Sequence, residues 1–199
     1  KIEYINNSAD TLAFIWIHLW PNAYKNKHTA LSRQKIENGD DKLYYSSKEE
    51  QGYIDSLEFK VDGKAVQWEY HDDNIDICKI TLNSPLKPDG KIIISTPFFV
   101  KIPDGKFSRL GHVDQSYMIT QWYPKPAVYD KDGWHIMPYL DQGEFYSEFG
   151  AFEVRITIPE NYIVGATGDL QNQEEIIFLN NKATNKISDF NTEFITSFE

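Results

Sequence analysis

The chain has 199 residues, and its 20 basic and 30 acidic side chains give a formal net charge of −10. This charge argues against nucleic-acid binding, which needs a basic surface to replace phosphate counterions, and against binding to an anionic membrane. Hydrophobic residues make up 41% and charged residues 25% of the chain, a balance that is typical of a globular protein rather than a disordered one.

Simple counts exclude further kinds of site. Cys78 is the single cysteine, so neither an intrachain disulfide nor a multi-cysteine zinc site can form. The longest apolar run covers residues 12–20 and is far shorter than the roughly eighteen residues that a membrane helix requires. The sequence starts directly on a strand pattern with no signal peptide in front of it, and we therefore expect a truncated part of a longer protein.

The first elements have clear local signals. Residues 12–20 are apolar on both alternating faces, which predicts a strand buried on both sides with Trp16 in the core. Residues 29–38 predict a short helix, because Thr29 is a suitable N-cap and Gly39 a suitable stop. Residues 47–50 (SKEE) have the pattern of a capping box and predict a further helical turn.

A hairpin is the clearest β signal. Apolar and polar residues alternate over 57–61 and again over 66–70, and Asp62-Gly63 between them is typical of a two-residue primed turn. Further strands are expected at residues 75–82 and 91–100, the second of them interrupted or ended by Pro97.

Short strands continue to the end of the chain. The expected strands are residues 117–122, 152–158, 162–166, 175–179 and 193–198. Repeated short strands separated by turn residues predict an all-β fold, an antiparallel β-sandwich or saddle with one or two short helices. No linker or repeat divides the sequence, so residues 1–199 are interpreted as a single β domain.

Motifs for catalysis or metal binding are not found in the sequence. It has no Gly-x-Ser-x-Gly elbow, no Gly-rich phosphate loop and no His-Glu-x-x-His pair, so no catalytic residue and no metal ligand is assigned. Asp130-Lys131-Asp132-Gly133 resembles the start of a calcium loop. The twelfth position of that loop is Asp141 where calcium loops have Glu, and a plain turn is the favoured interpretation.

The richest segment in aromatic and acidic side chains is residues 120–149. A long aromatic loop in a compact domain is typical of a functional or docked segment. The alternative is that its rings cover one end of the sandwich while its carboxylates are simply solvated.

The same segment carries a resemblance to a known family. Residues 120–124 (TQWYP) and 137–146 (MPYLDQGEFY), followed by the alternating stretch 152–159 and by residues 163–168 (IVGATG), resemble the N-terminal domain of the zinc aminopeptidases. This is the family of aminopeptidase N and leukotriene hydrolase. Residues 18–24 (HLWPNAY) resemble an early strand of a bacterial branch of these enzymes, so the resemblance covers most of the chain in order.

The resemblance implies a specific role for this chain. The family's first domain is a β saddle, followed by a thermolysin-like domain that carries the zinc-binding His-Glu-x-x-His motif. That motif does not occur here, so the resemblance implies a non-catalytic N-terminal domain without a cofactor of its own, the zinc belonging to the parent enzyme's catalytic domain. The implied partners are that catalytic domain and a peptide substrate. The branch favours a periplasmic or extracellular location.

Two site residues follow from the resemblance. In the family, a strand Gln and the Glu or Gln two positions later hold the free amino terminus of the substrate. These positions are Gln121 and Tyr123 here. Gln121 matches the family, whereas the phenol of Tyr123 lacks a carboxylate's charge and can offer only a hydrogen bond or a π face. The alternative interpretation of Gln121 is an ordinary strand residue.

The same features fit a second function. Aromatic rings with polar neighbours also suit an extracellular carbohydrate- or protein-binding β-sandwich module. A His-Glu-x-x-His motif downstream of Glu199 in the parent reading frame would distinguish the peptidase from this module.

Overall fold

β-strands dominate the part of the chain that the computed structural model describes, residues 1–186. The strands are β1 (Ile2–Ile5), β2 (Leu12–His18), β3 (Tyr53–Asp55), β4 (Lys60–Val61), β5 (Lys64–Ala65), β6 (Trp68–Tyr70), β7 (Ile77–Leu86), β8 (Lys91–Ser95), β9 (Phe99–Lys101), β10 (Gly111–Val113), β11 (Ser116–Met118), β12 (Lys125–Pro126), β13 (Val128–Asp130) and β14 (Gly133–His135). The helices are a short 3-10 helix (Trp20–Tyr24), α1 (Ala30–Glu37) and α2 (Gln173–Lys186).

Two four-stranded antiparallel sheets form the body of the fold. Their strand orders are β1-β8-β4-β5 and β12-β2-β7-β6, and three two-stranded ribbons (β3-β9, β10-β11 and β13-β14) accompany them. A cluster of buried residues draws on both large sheets, with Ile15 and Ile80 from one and Val61 and Ile94 from the other. The predicted all-β, sandwich-like class with few short helices is confirmed.

Contacts divide the chain into two compact units. The first is Lys1–Gly150, and the second begins at Ala151. All of the described strands lie in the first unit, and helix α2 lies in the second. The interpretation of residues 1–199 as one β domain stays a prediction.

The local signals for caps and turns are confirmed. Helix α1 starts as expected, since the Thr29 hydroxyl oxygen accepts a hydrogen bond from the Ser32 backbone N–H at 3.3 Å. The capping box forms as well, because the Ser47 N–H donates to a Glu50 carboxylate oxygen at 2.8 Å. In the β4–β5 hairpin, φ is 49° at Asp62 and 79° at Gly63, the left-handed pair that a type I′ turn requires.

The hairpin strands are shorter than predicted. β4 and β5 cover only two residues each, and the chain then enters the other sheet, where Trp68 of β6 pairs with Ile80 of β7. The predicted hairpin therefore forms around its turn, but residues 68–70 pair with β7 instead of extending it. A sandwich needs strands in both sheets, so the chain must pass from one sheet to the other. Here it does so within one alternating stretch, and the alternation shows no break where the sheet changes.

Strand β2 buries one face from Ile15 onwards, with Ala13 exposed near its start, and buries the other face only in part. Ile15, Ile17 and Leu19 are buried, whereas Trp16 is half-buried. The expectation that Trp16 lies in the core is therefore wrong. Its ring packs against the exposed side of the sheet, 5.5 Å from the His71 ring and 5.6 Å from the Lys79 ammonium. The buried tryptophan is Trp20, just beyond the strand.

Several strands predicted in the second half differ from the structure. Residues 152–158 and 162–166 are not in strands, because alternation creates a strand only where another strand supplies hydrogen bonds. Residues 175–179 lie in α2, whose start is capped by the Asn172 side-chain oxygen, which accepts from the Glu175 N–H at 3.1 Å. The strand predicted at 193–198 lies outside the described residues.

Candidate functional site

Gln121 and Tyr123 lie after β11, in irregular backbone. β11 ends at Met118, so the strand predicted over 117–122 stops before both residues. Gln121 has a φ of 52°, in the left-handed region that costs a residue with a Cβ about 1–2 kcal/mol. Both side chains are half-buried. Residues 120–124 thus form a bend that leads into β12, and the interpretation of Gln121 as an ordinary strand residue does not describe this backbone.

The next strand brings a lysine to Gln121. β12 pairs with β2 so that Lys125 lies directly opposite His18, which places both side chains on the same face of the sheet. The Lys125 ammonium donates to the Gln121 amide oxygen at 3.3 Å and to the Ser147 hydroxyl at 2.6 Å. It also lies 3.8 Å from the centre of the Trp20 ring. We name these four residues, Trp20, Gln121, Lys125 and Ser147, the Lys125 site.

His18 forms the buried floor beside this site. Its ring stacks on Trp20 with centroids 4.6 Å apart, and its Nε2 accepts the Met137 backbone N–H at 3.3 Å. In a neutral imidazole with Nε2 as the acceptor, Nδ1 carries the proton, and Nδ1 has no hydrogen-bond partner among the described residues. Burial, and secondly the positive charge of Lys125, lower the pKa of His18 to about 3. His18 is therefore neutral at physiological pH.

Trp20 anchors the aromatic segment to the body of the fold. Its indole N–H donates to the Met137 backbone oxygen at 3.2 Å, and its ring lies 4.7 Å from Phe145 and 6.3 Å from Tyr139. Trp20 and Tyr139 belong to the second buried cluster, to which the 3-10 helix and α1 contribute Tyr24 and Leu31. Residues 137–145 are therefore docked on the core.

Polar contacts fix the position of the same segment. The Gln34 side-chain oxygen accepts the backbone N–H groups of Asp141 and Gln142 at 2.8 and 2.9 Å, and the Lys35 ammonium lies 3.4 Å from the Asp141 carboxylate. A buried carboxylate, Asp76, accepts the Tyr139 N–H at 2.6 Å. Burial raises the pKa of Asp76 to about 6, although the Tyr139 N–H acts in the opposite direction.

The raised pKa of Asp76 predicts how the free energy of unfolding changes with pH. Because its pKa rises from 3.8 to about 6 on folding, its stabilising contribution is complete below pH 4 and is lost as the pH rises through 6. An ionised Asp76 then costs about 3 kcal/mol at pH 7. Asp76→Asn keeps an acceptor for the Tyr139 N–H and carries no charge. We expect this variant to gain about that free energy of unfolding relative to wild type between pH 4 and 7.

Urea unfolding of both proteins across this pH range measures the effect. The carboxyl groups whose pKa is lowered, such as those of Asp40 and Glu50, are present in both proteins, so their effects cancel in the difference. A difference that does not change with pH would show that Asp76 is not the titrating group.

The stretch that resembles the start of a calcium loop is a hairpin turn. Asp130 ends β13 and Gly133 begins β14 with a φ of 95°. One Asp130 carboxylate oxygen accepts the Asp132 N–H at 2.9 Å and lies 2.8 Å from His135 Nε2. Asp141, the position of the closing ligand, is engaged by Lys35. The structure therefore agrees with the favoured interpretation, a plain turn.

The described residues contain no group of three or more His, Cys, Asp or Glu side chains that could hold a metal ion. They supply no zinc ligand set, so the expectation that zinc belongs to another domain stays a prediction. Within residues 1–186, no helix has both the length and the apolar character that crossing a membrane requires.

No family model, curated protein or solved structure matches this chain. The functional interpretation therefore depends on the residues and their geometry. Gln121 and Tyr123 could be selected from the sequence through the family resemblance. The sequence did not point to the other three residues of the Lys125 site, Lys125, Ser147 and Trp20. They come together through the β2–β12 register and the docking of residues 137–147, and neither of these features has a local signal in the sequence.

Proposed function

We propose that this chain is the non-catalytic N-terminal domain of a zinc-dependent metallopeptidase of the aminopeptidase type. It packs on the catalytic domain of its parent enzyme and lines the site for the amino terminus of the substrate through Gln121 and Tyr123. The resemblance of residues 120–124 and 137–146 to the zinc aminopeptidases motivates this proposal.

The observation that carries the proposal is the backbone of Gln121. A left-handed φ of 52° at a residue that is not glycine is uncommon, and such outliers concentrate at functional sites. This conformation lies within the segment that resembles the family's substrate-binding strand. The antiparallel, sandwich-like fold agrees with a domain of this kind.

The chemistry assigned to this chain is recognition. The Gln121 amide oxygen accepts a hydrogen bond from the ammonium group of a peptide. The catalytic domain of the parent would hold the zinc, which would supply the Lewis-acid chemistry of hydrolysis. Burial raises the pKa of Tyr123, so its phenol stays neutral and supplies no negative charge to the ammonium. Gln121 therefore provides the main polar contact to the amino terminus.

The test requires the complete reading frame of the parent gene. We expect it to encode a His-Glu-x-x-His motif downstream of Glu199 and to hydrolyse peptides with a free amino terminus. A parent protein without this motif and without zinc-dependent peptidase activity would refute the proposal.

Gln121→Ala in the parent enzyme is expected to lower kcat/KM for a free-amine peptide roughly ten- to a hundredfold, because a hydrogen bond to a charged group is worth about 1.5–3 kcal/mol. Zinc content and melting temperature should stay nearly unchanged. Gln67, exposed between β5 and β6, provides the matched control Gln67→Ala, which should retain full activity. If Gln121→Ala retains it too, Gln121 does not bind the amino terminus.

A protein-binding module is the second candidate function, and one observation favours it. The end of the β10–β11 ribbon and the residue after it expose neighbouring apolar side chains, with Tyr117 at 51%, Met118 at 64% and Ile119 at 53% exposure. Exposed apolar patches mark protein interaction sites. In the peptidase hypothesis this surface is available for packing on the catalytic domain.

A further inference from the structure

Lys125 is a half-buried lysine whose ammonium group has no carboxylate partner, unlike Lys35 and Lys79. Lys35 is paired with Asp40 at 3.0 Å, and Lys79 is paired with Glu69 at 2.6 Å. Within residues 1–186, Lys125 has no carboxylate within 4.0 Å. Lys101 is likewise half-buried without an ion pair among the described residues, but its ammonium donates to the Lys48 backbone oxygen. Buried charges are normally paired, so the Lys125 ammonium, which is surrounded by neutral side chains, is a candidate for an anionic partner.

Neutral groups surround the ammonium, and one of its two hydrogen bonds is long. Its partners are the Ser147 hydroxyl at 2.6 Å, the Gln121 amide oxygen at 3.3 Å and the face of the Trp20 ring at 3.8 Å. Opposite it on β2 lies His18, which is neutral. Burial lowers the pKa of Lys125 to about 8, and no carboxylate opposes this effect. The long contact with Gln121 is the one that an incoming anion can replace.

We infer that the Lys125 site binds the carboxylate of an acidic peptide. A single ammonium group matches the single negative charge of a carboxylate, whereas a phosphate group carries a charge of about −1.5 to −2 at pH 7. The hydrogen bond that forms is charge-assisted and replaces a longer bond to a neutral amide oxygen. Because Lys125 is only partly buried, a ligand can reach its ammonium group from solvent.

The position of the site also suggests a substrate class, and this step rests on the proposed function. If Gln121 holds the amino terminus of a peptide, the side chain of the first residue lies close to Lys125, since Gln121 and Lys125 are in contact. A cation there repels the ammonium group of the substrate unless a carboxylate compensates it. Peptides that begin with Glu or Asp are therefore the preferred class.

Three short peptides test the site on the 199-residue chain. They are Glu-Ala-Ala-amide, its neutral counterpart Gln-Ala-Ala-amide, and N-acetyl-Glu-Ala-Ala-amide, each titrated into isotopically labelled protein and followed by NMR. We expect the wild-type protein to bind the Glu peptide roughly tenfold more tightly than the Gln peptide. In Lys125→Gln this ratio should fall to about one, while Gln-Ala-Ala-amide binds as before.

Lys79→Gln is the matched control. Lys79 also lies over aromatic rings, at 5.8 Å from Phe14 and 5.6 Å from Trp16, but Glu69 already neutralises it. Both variants change the net charge by the same amount, so the tenfold ratio should survive in Lys79→Gln. Equal binding of the Glu and Gln peptides to wild type, survival of the ratio in Lys125→Gln, or an equal loss in Lys79→Gln would each overturn the inference.

The acetylated peptide separates this inference from the proposed function. If N-acetyl-Glu-Ala-Ala-amide binds as tightly as the free amine and still requires Lys125, the carboxylate site is supported and the amino-terminus role of Gln121 fails. A requirement for the free amine supports both. A fourth peptide, Gln-Ala-Ala with a free carboxyl terminus, distinguishes a carboxylate at the chain end from one on the first side chain. Lys125-dependent binding of this peptide would support the carboxylate site and overturn the assigned preference for an acidic first residue.

One measurement on wild type does not depend on the folding of any variant. Adding propionate, compared with sodium chloride at the same ionic strength, should raise the pKa of Lys125, followed through its ε-methylene NMR signal. The pKa should move towards the usual range of lysine, because a bound carboxylate stabilises the charged form. An unchanged pKa at saturating propionate would overturn the inference.

Discussion

Trp20→Ala is expected to lower the free energy of unfolding by about 3–5 kcal/mol, the usual cost of truncating a large buried aromatic side chain. Trp20 is 1% exposed and belongs to the second buried cluster. The substitution removes the surface on which His18 stacks and the indole N–H that donates to the Met137 backbone oxygen. It therefore leaves both a cavity and an unpaired carbonyl group, and docking of residues 137–145 should weaken with it.

Trp16→Ala is the matched control for this prediction. Trp16 lies on the half-buried face of β2, so its truncation creates little enclosed cavity and should cost only about 1 kcal/mol. Urea or guanidinium unfolding of both variants and wild type gives the comparison. Equal losses in the two variants, or a larger loss for Trp16→Ala, would contradict the assignment of Trp20 as the core tryptophan.

The second large effect is acid destabilisation through His18. Its pKa falls from 6.5 in a free chain to about 3 in the folded protein. The unfolded chain therefore binds a proton more readily, and the stabilising contribution of neutral His18 is complete above pH 6.5 and is lost as the pH falls. We expect a loss of about 1.4 kcal/mol for each pH unit below 6.5, approaching 4–5 kcal/mol near pH 3.

His18→Gln isolates this contribution. An amide oxygen at this position can still accept the Met137 N–H, and the side chain does not titrate. The variant should be less stable than wild type near pH 7.5 because the stacking on Trp20 is lost. The difference should then shrink steadily as the pH falls from 6.5 to 4.5. A difference that stays constant over this range would show that His18 is not the group that titrates.

The sequence pointed to two residues of the candidate site, Gln121 and Tyr123, but not to the backbone conformation of Gln121 or to its partner Lys125. Gln121 and Tyr123 were selected through residues that resemble a family, and the structure places both on one irregular bend beside β12. The left-handed conformation of Gln121 was not predicted, since the sequence pattern favoured a strand through residues 117–122. Its partner Lys125 was missed because a lysine between two prolines has no signal of its own until β12 pairs with β2.

The amino-acid sequence by itself determined the features that depend on neighbours along the chain. Thr29 caps α1, Ser47 and Glu50 form a capping box, and Asp62-Gly63 forms a primed turn, because each involves hydrogen bonds or backbone angles within a few residues. The many short alternating stretches likewise determined the all-β class.

Only the tertiary structure decided which strands pair and which faces are buried. Residues 66–70 could extend a hairpin or change sheet, and the alternation favoured Trp16 for the core although Trp20 is the tryptophan that the fold buries. The sequence pattern predicted a strand at residues 175–179, although the Asn172 cap and the adjacent acidic residues favour the helix that forms. Side-chain alternation shows only that one face of a strand packs against a partner. Long-range strand pairing decides what that partner is and which face is buried. The meeting of Lys125, Gln121, Ser147 and Trp20 is a consequence of that pairing.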